Sequence, residues 1–400
     1  MLGTSYDFVI IGSGIVGLTV AQEITFRHPS AKIAILDKEQ AVGVHASGRN
    51  SGVLHCGIYY SSDTLKARLC SSGAKQMIEF AKEHSISYKQ SGKVILAVDE
   101  KELSALDLLL QNATENNINA QKIDSKLLQE IEPCAAEVSA AIYCPDTAVI
   151  DSSAVLKRLK DILVEKNIDF LLECEFIDKP KAKAIRTSKG IINFGYLFNC
   201  AGSYADIVAK KFGLSQDYTL IPFKGIYWKL NSNITDMVRS NIYPVPDTSL
   251  PFLGMHFTRV ISGDVYIGPT AIPALGRENY SNFENIEFKE LVEIGSNLTG
   301  MYVKNNDNFR KLAHTEIRKY LKTNFLKTAQ KLIPSLSLEN MAPTAKVGIR
   351  PQLINRRNKQ LEMDYILEHT ENSTHVLNAI SPAFTSSFAF SKMIVDSSKT

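Results

Sequence analysis

A chain of 400 residues is longer than one hydrophobic core normally serves, so two domains are expected. Forty-five Lys and Arg against 42 Asp and Glu leave a net charge of +3, too small over this length for a nucleic-acid binder, and 44% apolar with 22% charged residues exclude a disordered or collagen-like chain. The six cysteines, at 56, 70, 134, 144, 174 and 200, contain no zinc-knuckle or dithiol spacing, so no metal is expected and a reducing cytoplasm fits them.

Tyr6 to Ile11 reads as a strand buried on both faces, because its apolar residues run without polar alternation. Gly12-Ser13-Gly14-Ile15-Val16-Gly17 follows at once, then a helix from Leu18 to Phe26 and a strand from Lys32 to Leu36 that ends at Asp37 and Lys38. Gly12 permits the tight turn, Gly14 lets a pyrophosphate approach the backbone, and Gly17 allows the helix to pack closely on the strand. The helix start offers free N–H groups and partial positive charge to phosphates, and Asp37 stands where a carboxylate accepts hydrogen bonds from a ribose diol. The order strand, glycines, helix, strand and acid points to a dinucleotide. The apolar run Phe8 to Ala21 is therefore not a signal peptide: no basic segment precedes it and no small-residue cleavage site follows. No other stretch nears the roughly 20 apolar residues of a spanning helix. The expected protein is soluble and cytoplasmic, or at most peripheral on the inner face of a membrane.

Further along, residues 63–84 carry Leu65, Leu69, Met77, Phe80 and Ala81 at helical spacing. Asp151 is placed to cap a helix bearing Val155, Leu159, Ile162 and Leu163, which runs into a strand over Phe170–Phe176. From 221 to 270 the pattern changes to short strands, with Gly225–Leu230 as one strand and Val260–Ile267 as a hairpin around Ser262-Gly263-Asp264. Residues 307–333 return to helix before Pro334. That stretch gathers Arg310, Lys311, Arg318, Lys319, Lys322, Lys327 and Lys331, a solvated face or a weak anchor to anionic lipid.

Four markers in chain order resemble the D-amino-acid-oxidase-like flavoprotein superfamily: Gly48-Arg49-Asn50-Ser51-Gly52, Leu197–Gly202, Gly348-Ile349-Arg350-Pro351 and Asn378–Pro382. The resemblance implies FAD, dissociable rather than attached at His45. It also implies an α/β fold in which a Rossmann-like FAD-binding domain (1–85, 151–220 and 341–400) is interleaved with a smaller α+β substrate domain on an antiparallel or mixed sheet (86–150 and 221–340). The cofactor residues it implies are Gly12 to Gly17 with Asp37 and Lys38, Ser47 with Gly48, Asn50, Ser51 and Gly52, then Phe176, Cys200, Ala201, Gly202, Ser381 and Pro382.

The longer run Gly48–Tyr60 with Leu65–Arg68, together with Pro222–Gly225, Leu253–Arg259 and His375–Ser387, is similar to the L-2-hydroxyglutarate dehydrogenase/oxidase family over nearly the whole chain. The family often has arginine where Lys224 stands and alanine where Pro351 stands. The resemblance implies oxidation of a small hydroxy dicarboxylate, L-2-hydroxyglutarate, to 2-oxoglutarate, with a quinone or oxygen as the unassigned acceptor. Such chemistry needs a cation for the C1 carboxylate, for which Arg350 has the planar fork. It needs a base, for which His55 is the first candidate and His256 the rival. Lys66, Arg68 and Lys224 are candidates for the distal carboxylate, Tyr59 and Tyr60 for the pocket wall, and Thr385 for a further substrate contact at the start of the terminal helix. Two other readings stay open: oxidation of another small hydroxy acid, glycerol 3-phosphate or an amine, and flavin binding without catalysis.

Overall fold

The computed structural model describes residues 4–247, 252–281 and 283–399. The uninterrupted apolar run near the N-terminus is buried on both faces because Thr4–Ile11 lies inside a sheet, parallel to Gly190–Asn199 on one side and to Ile33–Leu36 on the other. The strand Asp169–Leu171 extends this sheet beyond Ile33–Leu36, and Ser373–Val376 adds a parallel strand to Gly190–Asn199. Helices Ile15–Arg27, Leu65–Glu83, Ser152–Glu165 and Ala383–Asp396 share one apolar core with the sheet, built from residues such as Ile10, Leu18, Met77, Leu159 and Phe390. Gly73 lets two of these helices touch backbone to backbone: a Cβ there would overlap the main chain at Ser386.

A second, eight-stranded sheet takes the order Met341–Ala342, Trp228–Leu230, Val265–Gly268, His256–Arg259, Asn241–Pro244, Lys93–Leu96, Ala141–Cys144 and Gln121–Ile123. It is antiparallel except where Asn241–Pro244 runs parallel to Lys93–Leu96, so it is a mixed sheet. Between the two sheets, Tyr218–Ile226 and Val347–Asn355 form a long antiparallel pair with Ile272–Pro273 on the outer edge. This is the α/β-plus-mixed-sheet architecture expected. No helix among the described residues is long and apolar enough to cross a membrane.

Local expectations hold where the signal is contiguous. Thr64 caps Leu65–Glu83, and the Asp151 carboxylate accepts from the N–H groups of Ser153 and Ala154, both at 3.0 Å. Three boundaries differ. The strand expected to reach Phe176 stops at Leu171, because Glu173 adopts φ 51° and the N–H groups of Glu173 and Cys174 turn back to the carbonyls of Glu39 and Asp37. Gly225–Leu230 is not one strand but the end of one and the start of another, divided at Tyr227 where the chain passes between sheets. Residues 307–333 form two helices, Phe309–Arg318 and Lys322–Ala329, separated by a turn.

Candidate active site

A cavity of about 420 Å³ extends from the glycine turn after the first strand to Arg350 between the sheets. At the turn, Gly12 has φ 103° and a Cβ there would enter the carbonyl of Cys200, while one on Gly17 would enter the carbonyl of Gly12. Gly14 differs: it caps the helix in extended conformation, without a side-chain cap, and its missing Cβ leaves the gap to Ser47 Oγ, which a Cβ would meet at 3.0 Å. Ser47 Oγ also accepts from the Ile15 N–H at 2.9 Å. Asp37 braces the turn, its Oδ2 accepting from the Ser13 N–H at 2.7 Å and the Ser13 hydroxyl at 2.6 Å.

Gly12, Gly14, Ile15, Val16, Asp37, Lys38, Ser47, Asn50 and Ser51 line the cavity, as do Phe176, Cys200, Ala201, Gly202, Ser381 and Pro382. Ser13, Gly17, Gly48 and Gly52 stand behind it. The three glycines let the loops close, since a Cβ on Gly48 would meet the Gly43 carbonyl at 2.5 Å and one on Gly52 the Ile150 carbonyl at 2.6 Å, while Ser13 holds Asp37. A glycine turn, a helix start whose first N–H meets the Ser47 hydroxyl, and an acid at the next strand end fit the pyrophosphate and ribose of FAD. His45 is held by Tyr280 at Nδ1 and Glu39 at Nε2, both at 2.9 Å.

At the other end, strand register assembles the chemistry. Phe223 lies opposite Arg350 and Gly225 opposite Gly348, so Phe223, Gly225, Tyr227, Gly348 and Arg350 all line the cavity. Alternation sends Lys224 the other way, where its ammonium donates to Asn279 Oδ1 at 2.9 Å and the Ser281 carbonyl at 3.2 Å. The expectation that Lys224 reads a substrate carboxylate is therefore corrected by the pleat. Arg350 faces Phe252, its guanidinium carbon 5.4 Å from the ring centre. Among the described residues nothing forms a hydrogen bond or ion pair with that guanidinium, and burial lowers its pKa.

His55 and His256 reach the same cavity from different sheets. His256 Nδ1 donates to the Gly254 carbonyl at 2.9 Å; a carbonyl can only accept, so Nε2 carries the lone pair in the neutral ring. Its ring stacks on Tyr243, centroids 3.9 Å apart. The Nδ1 of His55 is buried and without a hydrogen-bond partner among the described residues. The His55 N–H donates to Thr385 Oγ1 at 3.3 Å, and that hydroxyl donates to the Val53 carbonyl at 3.3 Å, tying this strand to the terminal helix; Thr385 also lines the cavity. Lys66 is 5% exposed and its ammonium forms no hydrogen bond among the described residues; burial and then the charge of Arg350 lower its pKa to about 7. Lys66, Tyr59 and Tyr60 sit behind the wall, not in it, with the Lys66 ammonium 5.4 Å from the Tyr60 ring centre.

Sequence reasoning missed Tyr227, Tyr243 and Phe252. It also missed the Gly225–Gly348 pair, which two glycines inside strands could have signalled.

Burial lowers His55 to about 3, His256 to about 4 and His375, within the parallel sheet, to about 3. In an unfolded chain each titrates near 6.5. The unfolded chain thus takes up protons that the fold refuses, and stability, full above pH ~6.5, falls as pH drops toward 4 by up to ~1.4 kcal/mol per pH unit per histidine. The urea midpoint of the apoprotein should drop between about pH 7.5 and about pH 5.5; a flat midpoint would contradict neutral buried histidines.

The family model for FAD dependent oxidoreductases matches residues 7–397. The mitochondrial L-2-hydroxyglutarate dehydrogenase of Homo sapiens is 34% identical over 418 residues, covering 98% of this chain and 88% of its own length. That of Indibacter alkaliphilus is 35% identical over 390 residues, 96% of each chain. Among solved structures, L-alpha-glycerophosphate oxidase from Mycoplasma pneumoniae with FAD bound is 19% identical and matches with a TM-score of 0.77 over 98% of this chain and 94% of that one. Glycine oxidase from Geobacillus kaustophilus gives 0.71 at 18% identity, over 98% and 94%. The chain belongs to the FAD dependent oxidoreductases and, within them, to the L-2-hydroxyglutarate dehydrogenase family, as an FAD-using dehydrogenase that acts on a CH–OH group.

Proposed function

We propose that this chain oxidises L-2-hydroxyglutarate to 2-oxoglutarate in the cavity below Arg350. The observation that carries the reading is a buried guanidinium with no acidic partner among the described residues, close enough to a second buried cation, Lys66, to add to the effect of burial on that lysine's pKa. The enclosed guanidinium is costly without an anion, and Lys66 has the Asp364 carboxylate as its only acidic influence among the described residues, so a dicarboxylate balances the pair. Arg350 takes the C1 carboxylate through its two-pronged fork, and Lys66, from behind the wall, attracts the distal one through its charge alone. The hydroxyl proton passes to the His55–His256 pair; burial keeps both rings neutral at rest, and the negative charge of a bound substrate raises their affinity for the proton. Phe223, Tyr227 and Phe252 line the site and keep water from it. FAD, when bound, supplies the acceptor for the hydride from C2.

Lys66→Met separates this substrate from simpler hydroxy acids. It should raise KM for L-2-hydroxyglutarate by about 10- to 100-fold and leave lactate unaffected, since lactate has no distal carboxylate. Equal losses on both would contradict the role of Lys66. Replacing His55 and His256 together by glutamine should abolish turnover with the yellow colour kept; a fully active double variant would favour oxidation of a C–N bond, which needs no hydroxyl base.

For the onward electrons we propose a membrane quinone. Ile317, Tyr320 and Leu321 are 60%, 57% and 63% exposed beside Arg318, which suits a weak lipid contact. The protein should float with anionic vesicles at low salt; no salt-sensitive flotation would remove this contact.

A further inference from the structure

Lys93 has no ordinary reason to be where it is. It begins the strand Lys93–Leu96, which is buried along its length between Asn241–Pro244 and Ala141–Cys144, and Lys93 itself is fully buried. Lysines are almost never fully buried unless paired. Among the described residues no carboxylate forms an ion pair with Lys93, and the atom within hydrogen-bonding reach of its Nζ is Cys56 Sγ, at 3.8 Å. Two aromatic rings flank the ammonium, that of Tyr59 at 4.4 Å and that of Tyr243 at 5.3 Å from ring centre. Cys56 follows His55 directly in the chain, and Tyr243 stacks on His256 at 3.9 Å. The thiol is thus one residue from the first cavity histidine, and the lysine is one aromatic ring, Tyr243, from the second.

We propose that Lys93 and Cys56 form a buried ammonium–thiolate pair, and that Lys93 is a positioning residue that holds the His55–His256 pair ready for the oxidation. The pair forms by one internal proton transfer: the Cys56 S–H bond breaks, an N–H bond forms on Lys93, and net charge is unchanged. This inference rests on the proposed function only for the reaction that it serves, not for the pair itself.

The chemistry around the two groups agrees. Cys56 is held well below the usual thiol range, by a hydrogen bond from Cys144 first and by the charge of Lys93, while the thiols raise Lys93 against the effect of its own burial. The titratable groups facing Lys93 are Cys56 and Tyr59 on the segment after Leu54, Cys70 on the helix Leu65–Glu83, Cys144 on the neighbouring strand and Tyr243 on the other; His55, His256 and Arg350 lie beyond them. After burial, the charge of Lys93 is among the causes that keep protons off both His55 and His256. The ammonium end of the pair is the one that acts on the rings, electrostatically against the imidazolium and sterically through the Tyr243 stack.

The test uses the FAD-loaded full chain and the variants Cys56→Ser, Lys93→Met and Lys93→Arg. The wild type minus Cys56→Ser ultraviolet difference should contain a thiolate band at neutral pH that Lys93→Met removes. The acid limb of the anaerobic flavin-bleaching rate should move up by as much as about one pH unit in Lys93→Met, since of the two charges lost with the pair it is the ammonium that acts on both imidazoles, and should return in Lys93→Arg. No thiolate band in the wild type would overturn the pair. An unshifted acid limb in a Lys93→Met protein that still binds FAD would overturn the positioning role. If Lys93→Met does not fold, Cys56→Ser carries the kinetic test, because a lysine without its thiolate becomes neutral and the limb should shift the same way; an unshifted limb there is equally fatal. Failure of L-2-hydroxyglutarate to bleach the flavin would sink the substrate reading and leave the thiolate band to decide the pair.

Discussion

Arg350→Ala should keep its yellow colour and lose about a thousandfold in kcat/KM, ~4 kcal/mol of transition-state stabilisation. The magnitude follows from what the side chain is: a planar cation inside a closed site, aimed at a carboxylate that it can grip at both oxygens. The expected effect on stability is the reverse of the usual one for a buried residue. The guanidinium has no hydrogen bond or ion pair among the described residues, so its removal relieves an unbalanced buried charge, and the apoprotein's melting temperature should hold or rise. Arg350→Lys should recover part of the loss, because a lysine restores the charge but not the fork. Activity lost together with colour and melting temperature would show that Arg350 supports the fold, not the substrate.

Gly14→Val should yield a folded, colourless protein. The three glycines of the first turn are not equivalent. A Cβ on Gly12 or Gly17 would run into main-chain carbonyls, so a side chain there breaks the junction between strand and helix. At Gly14 the nearest obstacle is the Ser47 hydroxyl at 3.0 Å, which gives up its bond to the Ile15 N–H as it turns aside, while no main-chain atom stands in the way. What valine takes is the space for the pyrophosphate. FAD affinity should fall by more than about a thousandfold, with far-UV circular dichroism and the unfolding midpoint little changed; flavin titration against the apoprotein reads both. A yellow Gly14→Val protein would mean that the phosphates lie elsewhere.

The nucleotide end was legible in the sequence because its parts are contiguous: turn, helix start and acid fall within Gly12 to Asp37, and spacing alone carries their geometry. The substrate end was legible only as a set of residue types. Arg350 meets Phe223 through a register set by two strands 127 positions apart, and His55 meets His256 because two sheets converge on one cavity. Neither leaves a local trace. Lys224 shows the limit clearly. Strand alternation was readable, but not which face the cavity would occupy; once Phe223 and Gly225 face it, Lys224 must point away. The overlong strand to Phe176 failed for a related reason. Apolar residues at Phe170 to Leu172 and Phe176 look continuous, yet the main chain of Glu173 and Cys174 is needed to hold the loop after Asp37. Lys93 passed unnoticed, since a single lysine opening a strand looks solvated until its neighbours on both sides are known.

The most direct test of this account is a single anaerobic mixing of the purified yellow protein with L-2-hydroxyglutarate, followed by the flavin spectrum. The visible band should bleach with the L-enantiomer, and should remain with the D-enantiomer or with sarcosine. A band unchanged by L-2-hydroxyglutarate and bleached by an amine would contradict the assignment of Arg350, Lys66 and the two histidines to a hydroxy dicarboxylate.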